Sequence, residues 1–192
     1  ETVVAFLATA SIGAIWSCCS PEFGVASVVD RFRQIEPKVL LAADGYRYGG
    51  RAFDRRDAVR ELVSALPTLE TVVMVPRLEG ITAAVEEGAR PFSGNGPPAI
   101  VLWKDLLRET GELVFEPVPF DHPLWVLYSS GTTGLPKAIV QGHGGILLEQ
   151  YKALSLHLDL TPDDRFFWFT TSGWMMWNML VSGLLVGCTV LL

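Results

Sequence analysis

The chain has 192 residues, 49% of them hydrophobic, enough for a sizeable core in one domain or two half-domains. Its 15 Lys and Arg stand against 21 Asp and Glu, a formal net charge of −6. No basic run or stripe appears, which argues against nucleic acid as a partner.

In chain order, Ala5, Leu7, Ala8, Ile12 and Ile15 fit a buried helix whose small residues allow close packing. Residues 25–35 read as an amphipathic helix with Val25, Val28, Val29, Phe32 and Ile35 on one face, stopped by Pro37. The apolar run 39–43 predicts a fully buried strand, followed by a turn at Asp44-Gly45. A helix is expected over 56–65 with Val59, Leu62 and Val63 inward, then a strand over 71–75. Strand, helix, strand at this rhythm implies parallel pairing. Residues 79–98, rich in Gly, Pro and Glu, read as loop with at most a short helical turn. A short strand at 100–103 and a helical turn at 104–109 follow. Pro117, Pro119 and Pro123 suggest a linker between subdomains around 116–122. The pattern then predicts a strand near 124–128, a helix over 144–158 after the short stretch 138–141, and a turn at 161–164 around Pro162. A strand at 166–169, a helix at 174–185 and a strand at 188–192 complete the reading. The fold class is therefore α/β, with mostly parallel sheets flanked by helices. The expected division is 1–120 for a first α/β subdomain and 121–192 for the start of a second. The apolar ends, without a leading methionine, read as those of a fragment of a longer protein.

The uncharged stretches 2–21 and 166–192 are long enough to raise a membrane span. Interspersed Ser, Thr, Gly, Cys and Asn make them parse better as globular elements, so no span is expected. The cysteines Cys18, Cys19 and Cys188 are odd in number with an adjacent pair, which suits reduced thiols in a cytoplasmic enzyme rather than a disulfide framework. His122, His143 and His157 lack metal-ligand spacing with each other or with the cysteines, so no metal site is expected in this stretch.

The most telling segment is Tyr128-Ser129-Ser130-Gly131-Thr132-Thr133-Gly134-Leu135-Pro136-Lys137, directly after the predicted strand 124–128. Glycines let backbone N–H groups approach a ligand, short hydroxyls add donors, and the lysine adds a point charge. The guest that fits is a polyphosphate. The P-loop pattern is not met: Pro136 stands where its second glycine belongs, and Ala138 where its metal-binding hydroxyl belongs. Pro136 has no N–H to donate. This is a different phosphate loop, with any metal held elsewhere; the bland alternative is a polar surface turn.

This segment resembles the phosphate-loop signature of the adenylate-forming (AMP-binding) superfamily. Within it, Phe167-Trp168-Phe169-Thr170-Thr171-Ser172-Gly173-Trp174-Met175-Met176-Trp177-Asn178 is similar to the acetoacetyl-CoA synthetase subfamily of the acyl-CoA synthetase branch, as is the stretch from Gly13 to Gly24. The resemblance implies the first part of the N-terminal domain of the acyl-CoA synthetase fold. It implies an ATP-dependent ligase that activates acetoacetate as an acyl-adenylate and passes it to CoA, with Mg2+ as helper. Ser130, Gly131, Thr132, Thr133, Gly134 and Lys137 would hold the ATP phosphates. Trp174, Trp177 and Asn178 would border the acyl pocket, although a Trp/Met cluster also reads simply as core. Acetyl-CoA synthetases carry an aspartate in place of Thr171 and a histidine near Asn178, so plain acetate is disfavoured. His143, between two glycines, is either near the nucleotide or structural. The family's adenine, ribose, metal and CoA sites and its adenylation lysine would lie beyond Leu192, leaving no certain catalytic residue here and an inactive fragment. The alternatives are a short-chain acyl-CoA synthetase of acetyl or propionyl type and a non-catalytic nucleotide-binding fragment.

Overall fold

The computed structural model describes residues 1–78, 96–108, 110–129 and 134–192. Most of the 79–98 loop and four of the phosphate-loop residues, Ser130, Gly131, Thr132 and Thr133, lie outside them. The chain forms two compact units, Glu1–Ser20 with Leu113–Leu192, and Pro21–Glu112. This differs from the expected break at 120/121. The reason is that β1 (Trp16–Ser17) pairs in parallel with β7 (Pro123–Ser129), which carries the first twenty residues into the later unit.

In the unit Pro21–Glu112, β2 (Val39–Ala43), β5 (Thr71–Val75) and β6 (Ala99–Leu102) form a parallel sheet in the order β2-β5-β6. Helix α3 (Arg56–Ala65) buries Val59 and Leu62, and Val59 packs with Val72, Met74 and Leu102 on one face of that sheet. Helix α2 (Val25–Phe32) ends three residues earlier than expected from Ile35 and buries Val28 and Phe32. Strand β2 is less covered than its apolar run suggested, with Val39 60% exposed. The expected turn at Asp44-Gly45 opens instead into a hairpin of β3 (Gly45–Tyr48) and β4 (Arg51–Asp54), with Tyr46 stacked on Phe53 at 5.0 Å. A Cβ on Gly45 would lie 2.4 Å from Leu78 Cδ1 and from the Phe53 carbonyl, so the hairpin needs glycine at its root. A single turn, α4 (Trp103–Leu106), follows β6.

In the other unit, β7 lies between β1 and the antiparallel β8 (Lys137–Gly142). Helix α1 (Thr2–Ser11) buries Phe6, whereas Leu7, Ile12 and Ile15 are exposed, contrary to the reading of a wholly buried helix. Phe6 joins Leu124, Trp125, Ile146, Trp177 and Val181 in the core, drawing on α1, β7, α5 (His143–Lys152) and α6 (Met175–Ser182). Helix α5 continues as a π-helical turn, Ala153–His157, so the predicted long helix is present with a change of winding. Leu154 in that turn is fully buried and packs with Phe166, Leu180 and Cys188. Strand β9 (Arg165–Phe166) pairs in parallel with β10 (Thr189–Val190), each two residues long. The strand expected over 166–169 stops at Phe166, and Phe167, Trp168 and Phe169 are exposed. All three cysteines are thiols. No helix among the described residues is long and apolar enough to cross a membrane.

Candidate functional site

Strand β7 forms because aromatic and β-branched residues suit a surface covered on both faces; Leu124, Trp125 and Val126 are each under 5% exposed. Its first half is pinned on both sides. Ser17 Oγ donates to the Val126 carbonyl at 2.9 Å, and Trp125 Nε1 donates to Gln141 Oε1. Being parallel, β1 and β7 end at the same edge of their sheet, the edge at which ligands collect in α/β folds. There the chain leaves Ser129, and it returns at Lys137, directly opposite Ser129 in the antiparallel register.

Gly134 and Lys137 are the predicted phosphate-holding residues that the structure describes. Gly134 has φ +143°, and nothing lies within 4 Å of the place a Cβ would take, so its backbone angle, not crowding, calls for glycine. Lys137 is exposed at the start of β8. The residues after it form a strand, whereas in a P-loop they would open a helix. No helix N-terminus follows Lys137 directly, so the partial positive charge that a P-loop gains there is absent at that point.

The second predicted cluster begins at the same edge. The Ser172 side chain lies beside the thiol of Cys18, the residue after β1, whose Sγ donates to the Cys19 carbonyl at 3.7 Å. Desolvation pushes the Cys18 thiol up to about 11, and Ser172 opposes the rise, so this thiol stays protonated. Trp174 is the N-cap of α6, in extended conformation with φ −115° and ψ 148°, and is 64% exposed. Trp177, one turn on, is 6% exposed and meets Phe6 edge-on at 6.1 Å. The two indoles therefore do not share an environment; the cap geometry turns Trp174 out while the helix carries Trp177 into the core. Asn178 is 3% exposed and its Nδ2 has no hydrogen-bond partner.

His143 opens α5, and its ring centroid lies 5.7 Å from that of His122. His122 Nε2 donates to the Gly13 carbonyl at 2.7 Å, which fixes a proton on that nitrogen. His143 Nε2 is buried without a partner. Desolvation, then the neighbouring His122, holds His143 below the ordinary imidazole range. The pair joins the α1–β1 turn, the start of β7 and the end of β8.

Sequence reasoning missed the Ser172–Cys18 contact, the His122–His143 pair and Asp44. Asp44 is 1% exposed and its Oδ1 accepts the N–H groups of Arg77 at 2.7 Å and Leu78 at 3.3 Å. The only local signal was its place between a strand and a glycine. No group of three or more His, Cys, Asp and Glu side chains that could hold a metal ion occurs among the described residues.

Comparison with known proteins bears on the whole chain. The protein-family model described as AMP-binding enzyme matches residues 1–192. Acetoacetyl-coenzyme A synthetase of Rhizobium meliloti is 45% identical over 100% of this chain and 28% of its own length. Malonamoyl-CoA synthetase of Penicillium aethiopicum is 43% identical over 100% of this chain and 26% of its own. A solved structure, acetoacetyl-CoA synthetase from Streptomyces lividans, is 56% identical and matches with a TM-score of 0.86, covering 98% of this chain and 27% of that one. The chain thus spans 26–28% of the length of these curated relatives. A family match from the first residue to the last, together with this fold, shows that the chain belongs to the AMP-binding enzyme family.

Proposed function

We propose that the chain is the phosphate-binding part of an ATP-dependent acid–thiol ligase that makes acetoacetyl-CoA. The observation that carries this reading is the 56% identity, at a TM-score of 0.86, to the acetoacetyl-CoA synthetase of Streptomyces lividans across 98% of the chain. Its two units are then read as incomplete subdomains of the large adenylating domain.

In the first step a carboxylate oxygen of acetoacetate attacks the α-phosphorus of ATP. The bond from that phosphorus to the bridging oxygen breaks and pyrophosphate leaves with the charge. Donors on the departing oxygens lower the barrier. Ser130, Thr132 and Thr133 would offer hydroxyls, Gly131 and Gly134 backbone N–H groups, and Lys137 a full positive charge. In the second step the sulfur of CoA attacks the acyl carbonyl and AMP departs. Mg2+ would accompany the triphosphate and neutralise part of its charge; no ligand set for it occurs among the described residues. Trp174, Trp177 and Asn178 would bound the acyl pocket, Trp177 from the core side. The acyl groups named for the two kinds of relative, acetoacetyl and malonamoyl, share one feature: a carbonyl two carbons from the carboxyl carbon. The reading includes ATP binding, a role in lipid metabolism and a cytoplasmic location, the last in keeping with three cysteines that are all thiols.

The test is ATP–pyrophosphate exchange by the full-length protein with acetoacetate and acetate in parallel. Exchange driven by acetoacetate in clear preference to acetate is expected. Equal rates would point to a less selective short-chain synthetase. No exchange with either acid would remove the ligase reading.

A further inference from the structure

An open cavity of about 290 Å³ lies at the edge of the β2-β5-β6 sheet where the strands begin. It is lined by Arg33 and Glu36, just past α2, and by the stretch from Ala65 to Thr68, where α3 ends. Leu66, 2% exposed, gives it an apolar floor. The two walls are tied together: Thr68 Oγ1 donates to the Pro37 carbonyl and Glu70 N–H to the Lys38 carbonyl, both at 2.8 Å. Arg33 Nε donates to the Ala65 carbonyl at 3.2 Å, capping a helix whose own last turn has no basic residue. The two terminal nitrogens of that guanidinium remain free. Among the described residues, neither they nor the Glu36 carboxylate has a hydrogen-bond or ion-pair partner, and the two opposite charges do not pair with each other. Glu36 is also held at φ 47°, its N–H on the Phe32 carbonyl at 3.1 Å, a helix-ending position where glycine is the usual residue. A side chain there carries a backbone cost that glycine avoids, and such outliers gather where the side chain has a task.

We infer that this cavity binds a free α-amino acid with an apolar side chain. The terminal nitrogens of Arg33 form a fork that matches a carboxylate. The Glu36 carboxylate takes the α-ammonium, helped by the partial negative charge at the end of α3. The apolar side chain then lies on Leu66 and Pro67. A zwitterion satisfies both charges at once, whereas a simple acid or a simple amine leaves one of them without a partner. The cavity belongs to the unit Pro21–Glu112, while Lys137 and Trp174 belong to the other, so the amino acid is a ligand additional to the substrates of the ligase reading.

A saturation-transfer NMR titration of the full-length protein with L-leucine tests this. Saturable binding with a Kd of about 1 mM or tighter is expected, which a ligand this small can reach. N-acetyl-L-leucine, without the ammonium, and L-leucinamide, without the carboxylate, should each bind about 10-fold more weakly or worse. Arg33→Gln should weaken leucine binding by about 10-fold. Glu36→Gly should raise the melting temperature, because glycine adopts φ 47° freely, and yet lose leucine binding. Since that variant folds at least as well as wild type, its loss of binding is loss of the site. Absence of saturable binding up to about 20 mM leucine overturns the inference. Leucinamide or N-acetylleucine binding as tightly as leucine overturns it as well. Leucine binding unchanged in Glu36→Gly places the ligand elsewhere and has the same result.

Discussion

Lys137 is an exposed cation held at a defined place by its pairing with Ser129, so its removal should affect chemistry more than stability. In the full-length protein, Lys137→Ala is expected to slow ATP–pyrophosphate exchange by about 100- to 1,000-fold, the usual cost of deleting one preorganised donor to a developing charge. The later transfer of a preformed acyl-adenylate to CoA should suffer less, because pyrophosphate has already left. A far-UV circular dichroism spectrum equal to wild type would accompany the loss. Exchange at the wild-type rate would show that this ammonium does not meet the triphosphate. Gly134 beside it illustrates a different constraint, since its φ of +143° disfavours any side chain whatever the space around it. Asp44 shows a third: its Oδ1 accepts the backbone N–H groups of Arg77 and Leu78 just past a strand, whereas its Oδ2 is buried without a partner.

At the scale of elements, the paired histidines decide how the β7–β8 pair is anchored to α5. His143 N–H donates to the His122 carbonyl at 2.9 Å, and the two rings lie 5.7 Å apart, tilted by 43°. His143 is held below the reference value of 6.5 in the folded protein, by desolvation first and His122 second, and a helix N-terminus also disfavours a cation. Between 6.5 and the lower folded value the unfolded chain binds more protons than the folded one. This contribution to stability is therefore complete above 6.5 and is lost as pH falls through the folded value. Melting temperatures of the protein from about pH 8 to about pH 5 should decline on the acid side, and His143→Gln should flatten that decline. An acid limb identical in the variant would assign the loss to other groups.

At the scale of the whole molecule, the unit carrying the phosphate loop is assembled from both ends of the chain. Phe6 reaches Trp125 at a centroid distance of 5.6 Å, Trp16 at 6.0 Å and Trp177 at 6.1 Å. Phe6→Ala should accordingly destabilise this unit by about 3–5 kcal/mol, the range for emptying an aromatic site in a core. Urea unfolding followed by tryptophan emission would read it, since three indoles surround the lost ring. An unchanged midpoint would mean that α1 contributes nothing to the core of its unit.

Local order was already written in the amino acids. The periodicity of Val59 and Leu62 marked α3, the apolar runs marked β5 and β7, and Pro162 marked its turn, because each depends on neighbours a few residues away. The glycine-, hydroxyl- and lysine-bearing segment ending at Lys137 carried, for the same reason, the resemblance to the family that the whole-chain match then showed. Tertiary structure alone decided which apolar residues are covered. Phe6 is buried while Leu7 is not, and Trp177 is core while Trp174 faces out. It also decided that the first twenty residues belong with the last eighty. Burial and parallel pairing join residues a hundred or more positions apart, and no local pattern records which distant partner will arrive.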